Sequence, residues 1–273
     1  ATTLNAGSEF VDYVGSQWGV NLPTLVGDAE YICEVDGSDR TNGDRLAYAL
    51  GSKIKTTTVR FVGNAKHQYQ LKNYASLAKL ATVKYIVNVD KTVNFQFGNA
   101  TTNEIVLGTS LTIESANSVE FTRGKFNVNG NIVVNAGSIY NNDEKDAIIT
   151  AKDLTLNNAA SLTVNALVDA KAASELTTPS WNVKNIALNG TSIMTVEENA
   201  ALKADGNLTI AKGTKASFAY SSYTDVTGAI TNNGTFERVL SSTTGSKANP
   251  AQVWCTAYTN NGTQLNAGAQ VAE

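Results

Sequence analysis

Short apolar pairs recur about every 22 residues from Leu111 onward in this 273-residue chain. One residue separates the two members of each pair, so both side chains lie on the same side of a β-strand. Self-similarity at a fixed period of roughly 20 to 50 residues indicates a stacked solenoid, because one unit is too small to bury its own apolar side. The pairs are Leu111/Ile113, Ile132/Val134, Leu154/Leu156, Ile186/Leu188, Leu208/Ile210 and, more weakly, Ile230/Asn232.

Each unit holds two further groups of apolar residues, and three short strands per coil describe a three-sided, all-β helix. These groups are expected to point into the core. The second strand contributes Val119/Phe121, Ile139, Leu162/Val164, Ile193 and Ala216/Phe218, and the third contributes Phe126/Val128, Ile148/Thr150, Trp181/Val183, Leu202/Ala204 and Val226.

Residues that alternate with the inward groups are expected to face solvent, and they define three outward faces. The first face carries no ionisable group, which makes it flat and uncharged, and the other two carry only scattered acids. The first face comprises Thr112, Val133, Thr155, Ala187, Thr209 and Thr231; the second comprises Glu120, Tyr140, Thr163, Ser217 and Glu237; the third comprises Asn127, Ile149, Asn182, Lys203 and Asp225.

An asparagine follows the first strand in three successive coils, at Asn135, Asn157 and Asn189. Stacked amides can hydrogen-bond to one another along a solenoid axis. Asparagine also tolerates the left-handed conformation that tight turns require. The two interpretations are compatible, and the sequence leaves both open.

The chain divides into an N-terminal cap over residues 1–58, a repeat region over 59–240 and a C-terminal cap over 241–273, all within one structural domain. An amphipathic helix is predicted over Asn42–Gly51, because Leu46 and Leu50 share a face. Caps are expected because an open solenoid end is an exposed sheet edge. Cys33 and Cys255 lie near opposite ends, so buried free thiols are favoured over a disulfide.

The repeat is interrupted once, where the interval from Leu156 to Leu188 is 32 residues instead of about 22. The excess is a polar, alanine-rich insertion over 169–180, and a smaller polar turn over 141–146 precedes it by one coil. Insertions in solenoids form loops on one side, often the binding side. The two loops are therefore expected to lie side by side and to present Asp143, Glu144, Asp146 and Glu175 to a partner.

Composition excludes several classes of function. A net charge of −3 and a charged fraction of 16% do not suit nucleic acid, whose phosphates require clustered Lys and Arg. No apolar stretch is long enough to span a membrane, and an export signal is expected to have been removed. The single histidine, His67, is expected in a surface loop, and His and Cys are too few for a zinc site.

No cofactor or metal is predicted. Asp143, Glu144 and Asp146 offer oxygen ligands for Ca²⁺, but their spacing does not match an EF-hand loop and Lys145 interrupts them. A solvated turn is therefore the favoured interpretation of this cluster.

With three short strands per coil, asparagine at the first turn and a helix-containing cap, residues 59–240 resemble the right-handed parallel β-helix (pectin-lyase-like) superfamily. That superfamily includes pectate and pectin lyases, polygalacturonases and adhesin-like bacterial proteins that are secreted or surface-anchored. The resemblance implies the right hand of the helix. Its enzymes use carboxylate clusters on an outward face, and the Asp-Asp and Gly-His-Gly motifs of polygalacturonases are absent here.

The expected function is therefore non-enzymatic: an adhesive, structural or glycan-binding role for a bacterial protein that is secreted or displayed on the cell surface. The expected partner is an extracellular glycan or a surface protein. A polysaccharide lyase or glycoside hydrolase of the β-helix type is the alternative. Tyr140, Tyr220, Tyr223 and Trp254 are candidates for stacking on sugar rings, whereas Trp181 aligns with Phe126 and is expected in the core.

Overall fold

Parallel pairing between successive coils builds this molecule. The computed structural model describes residues 3–4, 9–13, 24–25, 30–35, 41–42, 58–64, 67–71, 81–99, 103–168, 178–240 and 249–272. These residues form twenty-six β-strands and no α-helix. The strands are β1 (Thr3–Leu4), β2 (Glu9–Tyr13), β3 (Thr24–Leu25), β4 (Glu30–Val35), β5 (Thr41–Asn42), β6 (Thr58–Gly63), β7 (His67–Leu71), β8 (Lys84–Val89), β9 (Asn94–Asn99), β10 (Ile105–Val106), β11 (Ser110–Ser115), β12 (Ser118–Asn127), β13 (Ile132–Val134), β14 (Ser138–Asn141), β15 (Ala147–Leu156), β16 (Ser161–Val164), β17 (Trp181–Leu188), β18 (Ile193–Val196), β19 (Ala201–Ala204), β20 (Leu208–Ile210), β21 (Lys215–Phe218), β22 (Tyr223–Asn232), β23 (Thr235–Arg238), β24 (Gln252–Asn260), β25 (Thr263–Leu265) and β26 (Gln270–Val271).

Among the described residues every strand pair is parallel, as a solenoid requires, so the predicted all-β parallel β-helix is confirmed. The first member of each repeating pair forms one continuous column along the axis. Several strands, such as β15, bend at a corner and serve the third face with one half and the first face with the other. The column runs through Val59, Tyr85, Leu111, Ile132, Leu154, Ile186, Leu208, Ile230 and Tyr258.

The core is a stack of apolar side chains inside the coils, and it changes in character along the axis. Its N-terminal part is rich in aromatic residues, and Phe97 stacks on Phe121 with ring centroids 5.5 Å apart. Trp181 is fully buried and meets Phe121 edge to face, which confirms its predicted place in the core. Its Nε1 donates to Oδ1 of the buried Asn141 at 2.9 Å, so the indole is satisfied inside an apolar environment.

Three of the predicted inward positions, Ile193, Ile148 and Thr150, are wrong by one residue. On the second strand Met194 is fully buried and pairs with Leu162, while Ile193 is 45% exposed. On the third strand Ile149 is buried and pairs with Phe126, so it belongs to the core and not to the third face. Because strand side chains alternate, a slip of one residue exchanges the two sides.

The predicted asparagine ladder is confirmed. Asn157 Nδ2 donates to Asn135 Oδ1 at 2.9 Å, and Asn189 Nδ2 donates to Asn157 Oδ1 at 3.0 Å. The same arrangement recurs later, where Asn261 Nδ2 donates to an asparagine of the preceding coil at 3.0 Å. Ala211 occupies the equivalent place in the intervening coil. Its backbone N–H donates to the carbonyl of Leu188, just as the N–H of Asn189 donates to the carbonyl of Leu156 one coil earlier.

A second amide column lies at the corner between the third and first faces. Asn185 donates to Asp153 at 2.7 Å, and Asn207 N–H in turn donates to Asn185 Oδ1 at 2.9 Å. A Cβ on Gly206 would stand 2.3 Å from that Oδ1, so only glycine leaves room for this amide. The corner therefore combines a glycine with an amide from the preceding coil.

Parallel pairing extends into the segment predicted as the N-terminal cap, because β2 pairs with β4 and β4 with β6. Asn42 belongs to the strand β5, and the remainder of the predicted helix, residues 43–51, lies outside the described residues. Residues 169–177 of the insertion, with Glu175, and residues 241–248 also lie outside them.

The single histidine and the two cysteines all lie on paired strands. His67 opens strand β7 and pairs in register with Phe95, so its predicted position in a loop is wrong. Cys255 is a free, buried cysteine, as expected, and burial raises the pKa of its thiol. The backbone of Cys33 lies in β4 and pairs with Phe61.

The register of the second strand predicts a sharp contrast between two neighbouring substitutions. We expect Met194→Ala to lower the free energy of unfolding by about 2–5 kcal/mol, because it leaves a cavity in a fully packed core. Ile193→Ala should change the free energy of unfolding by less than about 0.5 kcal/mol, because the Ile193 side chain is exposed. Urea denaturation of both variants measures this, and equal losses would contradict the register.

The gap in the ladder predicts a stabilising substitution. Ala211→Asn should connect the two asparagine ladders and raise the free energy of unfolding by about 0.5–1.5 kcal/mol for each hydrogen bond formed. Thr209→Asn, which introduces the same side chain two residues earlier, on β20 and outside the ladder, is the matched control. Thermal unfolding followed by circular dichroism compares them; a stability gain in the control alone would refute the ladder mechanism.

Candidate functional site

One cluster on the third face combines aromatic and charged side chains. Lys203, Asp225 and Trp254 occupy adjacent strands in register, and Tyr223 precedes Asp225 by two residues on β22. Asp205 follows Lys203 by two residues. We call Lys203, Asp205, Tyr223, Asp225 and Trp254 the aromatic–acidic patch.

Alternation along the strands turns these side chains outward. Thr224 and Val226 are buried in the core column, so the intervening Asp225 faces outward and remains half-buried. In β24, Val253 and Cys255 are buried and Trp254 lies outward between them. Strand spacing and rise place the Cα atoms of Tyr223 and Trp254 about 8 Å apart on the diagonal. A short oligosaccharide can bridge that separation.

Negative charges outnumber positive charges in the patch. Lys203 Nζ lies 2.8 Å from Asp205 Oδ1, and both side chains are exposed. The hydrogen bond to Asp205 raises the pKa of Lys203, with a smaller contribution from the charge of Asp225. Asp205 therefore balances the single lysine, and the carboxylate of Asp225 leaves the patch net negative.

Two tyrosines flank the corner that leads into the patch. Burial raises the pKa of Tyr223, and the nearby Asp225 raises it further. Tyr220 donates its hydroxyl to Glu198 Oε2 at 2.5 Å, and this hydrogen bond raises the pKa of Tyr220. Both phenols are consequently neutral hydrogen-bonding groups at physiological pH.

A different cluster surrounds Glu120 on the second face. Glu120 is 7% exposed and accepts hydrogen bonds from Gln96 Nε2 at 2.7 Å and Asn142 Nδ2 at 2.6 Å. The Tyr140 hydroxyl lies 3.4 Å from Glu120 Oε2. Burial raises the pKa of Tyr140, and the charge of Glu120 adds to this effect. Neutral donors thus hold this carboxylate in place, and they also anchor the turn that begins at Asn142.

The turn over 141–146 is tied to the protein by its polar side chains. Asn142 Oδ1 accepts the N–H of Glu144 at 2.9 Å, and Asp146 Oδ1 accepts the N–H of Val168 at 2.6 Å. Asp143, Glu144 and Asp146 are all exposed. Among the residues that the structure describes, no three His, Cys, Asp or Glu side chains are grouped to hold a metal ion.

The predicted site residues therefore fall into two groups. Tyr140 lies on the second face beside the turn that carries Asp143, Glu144 and Asp146. Several coils away, Tyr223 belongs to the aromatic–acidic patch and Tyr220 lies near it. The contact between Val168 and Asp146 places the start of the insertion against that turn. Glu175 itself lies outside the described residues.

Sequence reasoning missed the pairing of Trp254 with Asp225. The two residues are 29 positions apart instead of about 22, because residues 241–248 lengthen the connection. The apolar residues Val253 and Cys255 on either side of Trp254 were the available signal, since they mark it as an outward residue.

Among the described residues of the first face, the charged side chains lie in the early coils. Arg60 occupies the column of Thr112 and contacts Glu114 and Glu30, with its Nε 3.0 Å from Glu30 Oε1. The pair with Glu30 joins neighbouring coils, and the pair with Glu114 reaches across the intervening strand β8. Beyond them the face is built of uncharged residues such as Thr155 and Thr209.

No protein-family model, curated protein or solved structure matches this chain. Among the described residues, no helix has the length and apolar character to cross a membrane.

The ion pair of Glu237 on the second face predicts a pH-dependent contribution to stability. Lys215 Nζ lies 2.7 Å from Glu237 Oε2, Ser217 donates to the same oxygen at 2.8 Å, and these bonds lower the pKa of Glu237. A lowered pKa gives stability above the ordinary pKa of Glu that is lost as pH falls through the native value. The Glu237→Gln variant should therefore have a lower free energy of unfolding than wild type at pH 7. This difference in free energy should shrink toward pH 3, where Glu237 of the wild type becomes protonated. Denaturant titrations at both pH values measure it, and a difference that grows on acidification would contradict this assignment.

Proposed function

We propose that this protein is a non-enzymatic, adhesive scaffold that binds glycans through the aromatic–acidic patch. The observation that carries the proposal is the register of Trp254 with Asp225, beside Tyr223 on the same outward face. Aromatic rings supply apolar surface for sugar rings, and a carboxylate accepts hydrogen bonds from sugar hydroxyls.

The shape of the site favours a polymer. The patch lies on the outer surface of a stacked sheet, and its members are partly exposed. Pockets for small molecules bury most of their ligand, whereas an outward strand face leaves an extended chain free to continue in both directions. Elongated solenoids provide such extended surfaces.

Secretion or display at the bacterial cell surface is part of the proposal. It follows from the resemblance to adhesin-like β-helix proteins and from the ligand, since structural glycans are extracellular. The turn over 141–146, with its exposed Asp143 and Glu144, is a second surface for a protein partner in this proposal.

One observation favours the alternative of a glycan-cleaving enzyme. Asp205 directly follows β19, Asp225 lies on the neighbouring strand β22, and the charges of both act on Lys203. Glycosidases use two carboxyl groups roughly 5 to 9.5 Å apart. A catalytic acid, however, needs apolar surroundings, and the Asp205 side chain is 51% exposed and ion-paired. The non-enzymatic proposal is therefore preferred.

Removal of the indole tests the proposed function. We expect Trp254→Ala to weaken glycan binding at least about tenfold, because truncation of an aromatic anchor removes most of its contact surface. Binding to a glycan array followed by calorimetry on the strongest ligand measures it. Tyr140→Ala, which removes an outward aromatic ring from the second face, is the control and should bind as wild type does.

The same ligands distinguish the alternatives. Loss of binding in Tyr140→Ala with retention in Trp254→Ala would move the site to the second face and refute this proposal. Release of new reducing ends from the bound polysaccharide, abolished by Asp225→Asn, would establish the enzyme instead.

A further inference from the structure

We infer that the aromatic–acidic patch selects neutral glycans and rejects glycans that carry carboxylate or sulfate groups. This inference rests on the proposed glycan binding and specifies its ligand class. It follows from where the charges lie around the two aromatic rings.

Asp225 is adjacent to both rings, one along its own strand and the other across the strand pair. Tyr223 precedes it on the same strand, and Trp254 is its register partner on the next strand. A sugar that stacks on either ring therefore places its ring substituents beside this carboxylate. Two adjacent hydroxyl groups can donate to its two oxygens, and a carboxylate accepts such bonds strongly.

An acidic sugar meets a different environment at the same place. The patch cation, Lys203, is already ion-paired with Asp205 at 2.8 Å and is separated from Trp254 by the strand that carries Asp225. Glu198 adds a further negative charge at the corner, where it accepts the hydrogen bond of Tyr220. A uronate or sulfate would place a like charge against Asp225, and like charges brought together without a counterion repel.

This ligand class differs from that of the polyuronate-degrading enzymes that the fold resembles. A groove for polyuronates requires unpaired cations along the bound chain. In the patch, Asp225 has Lys203 on the strand to one side and Trp254 on the strand to the other. The charge of Lys203 is neutralised by its ion pair with Asp205. The patch therefore favours neutral glycans, whereas those enzymes act on acidic ones.

Calorimetry with matched oligosaccharides tests this inference. The probes are hexamers of glucose, mannose and N-acetylglucosamine, together with hexagalacturonate as the acidic counterpart, at low ionic strength. We expect wild-type protein to bind at least one neutral hexamer at least about tenfold more tightly than hexagalacturonate. Asp225→Asn should weaken the neutral interaction by about tenfold and narrow the difference between the two classes. Glu104→Gln, which removes an exposed carboxylate beside β10 in an early coil far from the patch, should leave both affinities unchanged.

The possible results separate the two proposals. Hexagalacturonate binding that exceeds neutral binding and disappears in Trp254→Ala would overturn the neutral-ligand inference and leave the glycan-binding function standing. Unchanged neutral binding in Asp225→Asn would also overturn the inference, because the carboxylate would then make no contact with the sugar. Absence of Trp254-dependent binding for all four hexamers would overturn the proposed function itself.

Discussion

Parallel backbone hydrogen bonding between successive coils is the interaction on which the rest of this structure depends. A coil of about 22 residues cannot bury its own apolar side chains. In-register pairing places each coil on the preceding one, so that Leu111 lies over Tyr85 and Ile132 over Leu111. The core is the stack of columns that this pairing creates.

The same pairing organises the surface. Side chains that alternate with the core columns form outward columns, which bring together residues about 20 to 30 positions apart in sequence. Amides placed in this way hydrogen-bond along the axis, as Asn135, Asn157 and Asn189 do. The aromatic–acidic patch arises by the same rule, since Asp225 meets Trp254 only through the pairing of β22 with β24.

Prediction from sequence succeeded where only one register was compatible with the apolar pattern. Isolated apolar pairs such as Leu154/Leu156, with polar residues on either side, were placed correctly in the core. The errors fell where two apolar residues are adjacent, at Ile148–Ile149 and at Ile193–Met194. Alternation alone does not decide which neighbour points inward, because both choices bury one apolar side chain. Contact with the neighbouring coil decides it, through Phe126 in one case and Leu162 in the other.

The sequence by itself determined the repeat, the all-β solenoid and most of the inward columns, because all of these follow from a regular period and from the alternation of strand side chains. It also placed three asparagines at equivalent positions, and the structure showed that their amides form a ladder. The tertiary structure decided which outward side chains become neighbours. Connections between paired strands vary in length; on the third face, Lys203 and Asp225 are 22 residues apart, whereas Asp225 and Trp254 are 29 apart. Register across such connections is set by strand pairing and core packing, so the site emerges only when the coils are stacked.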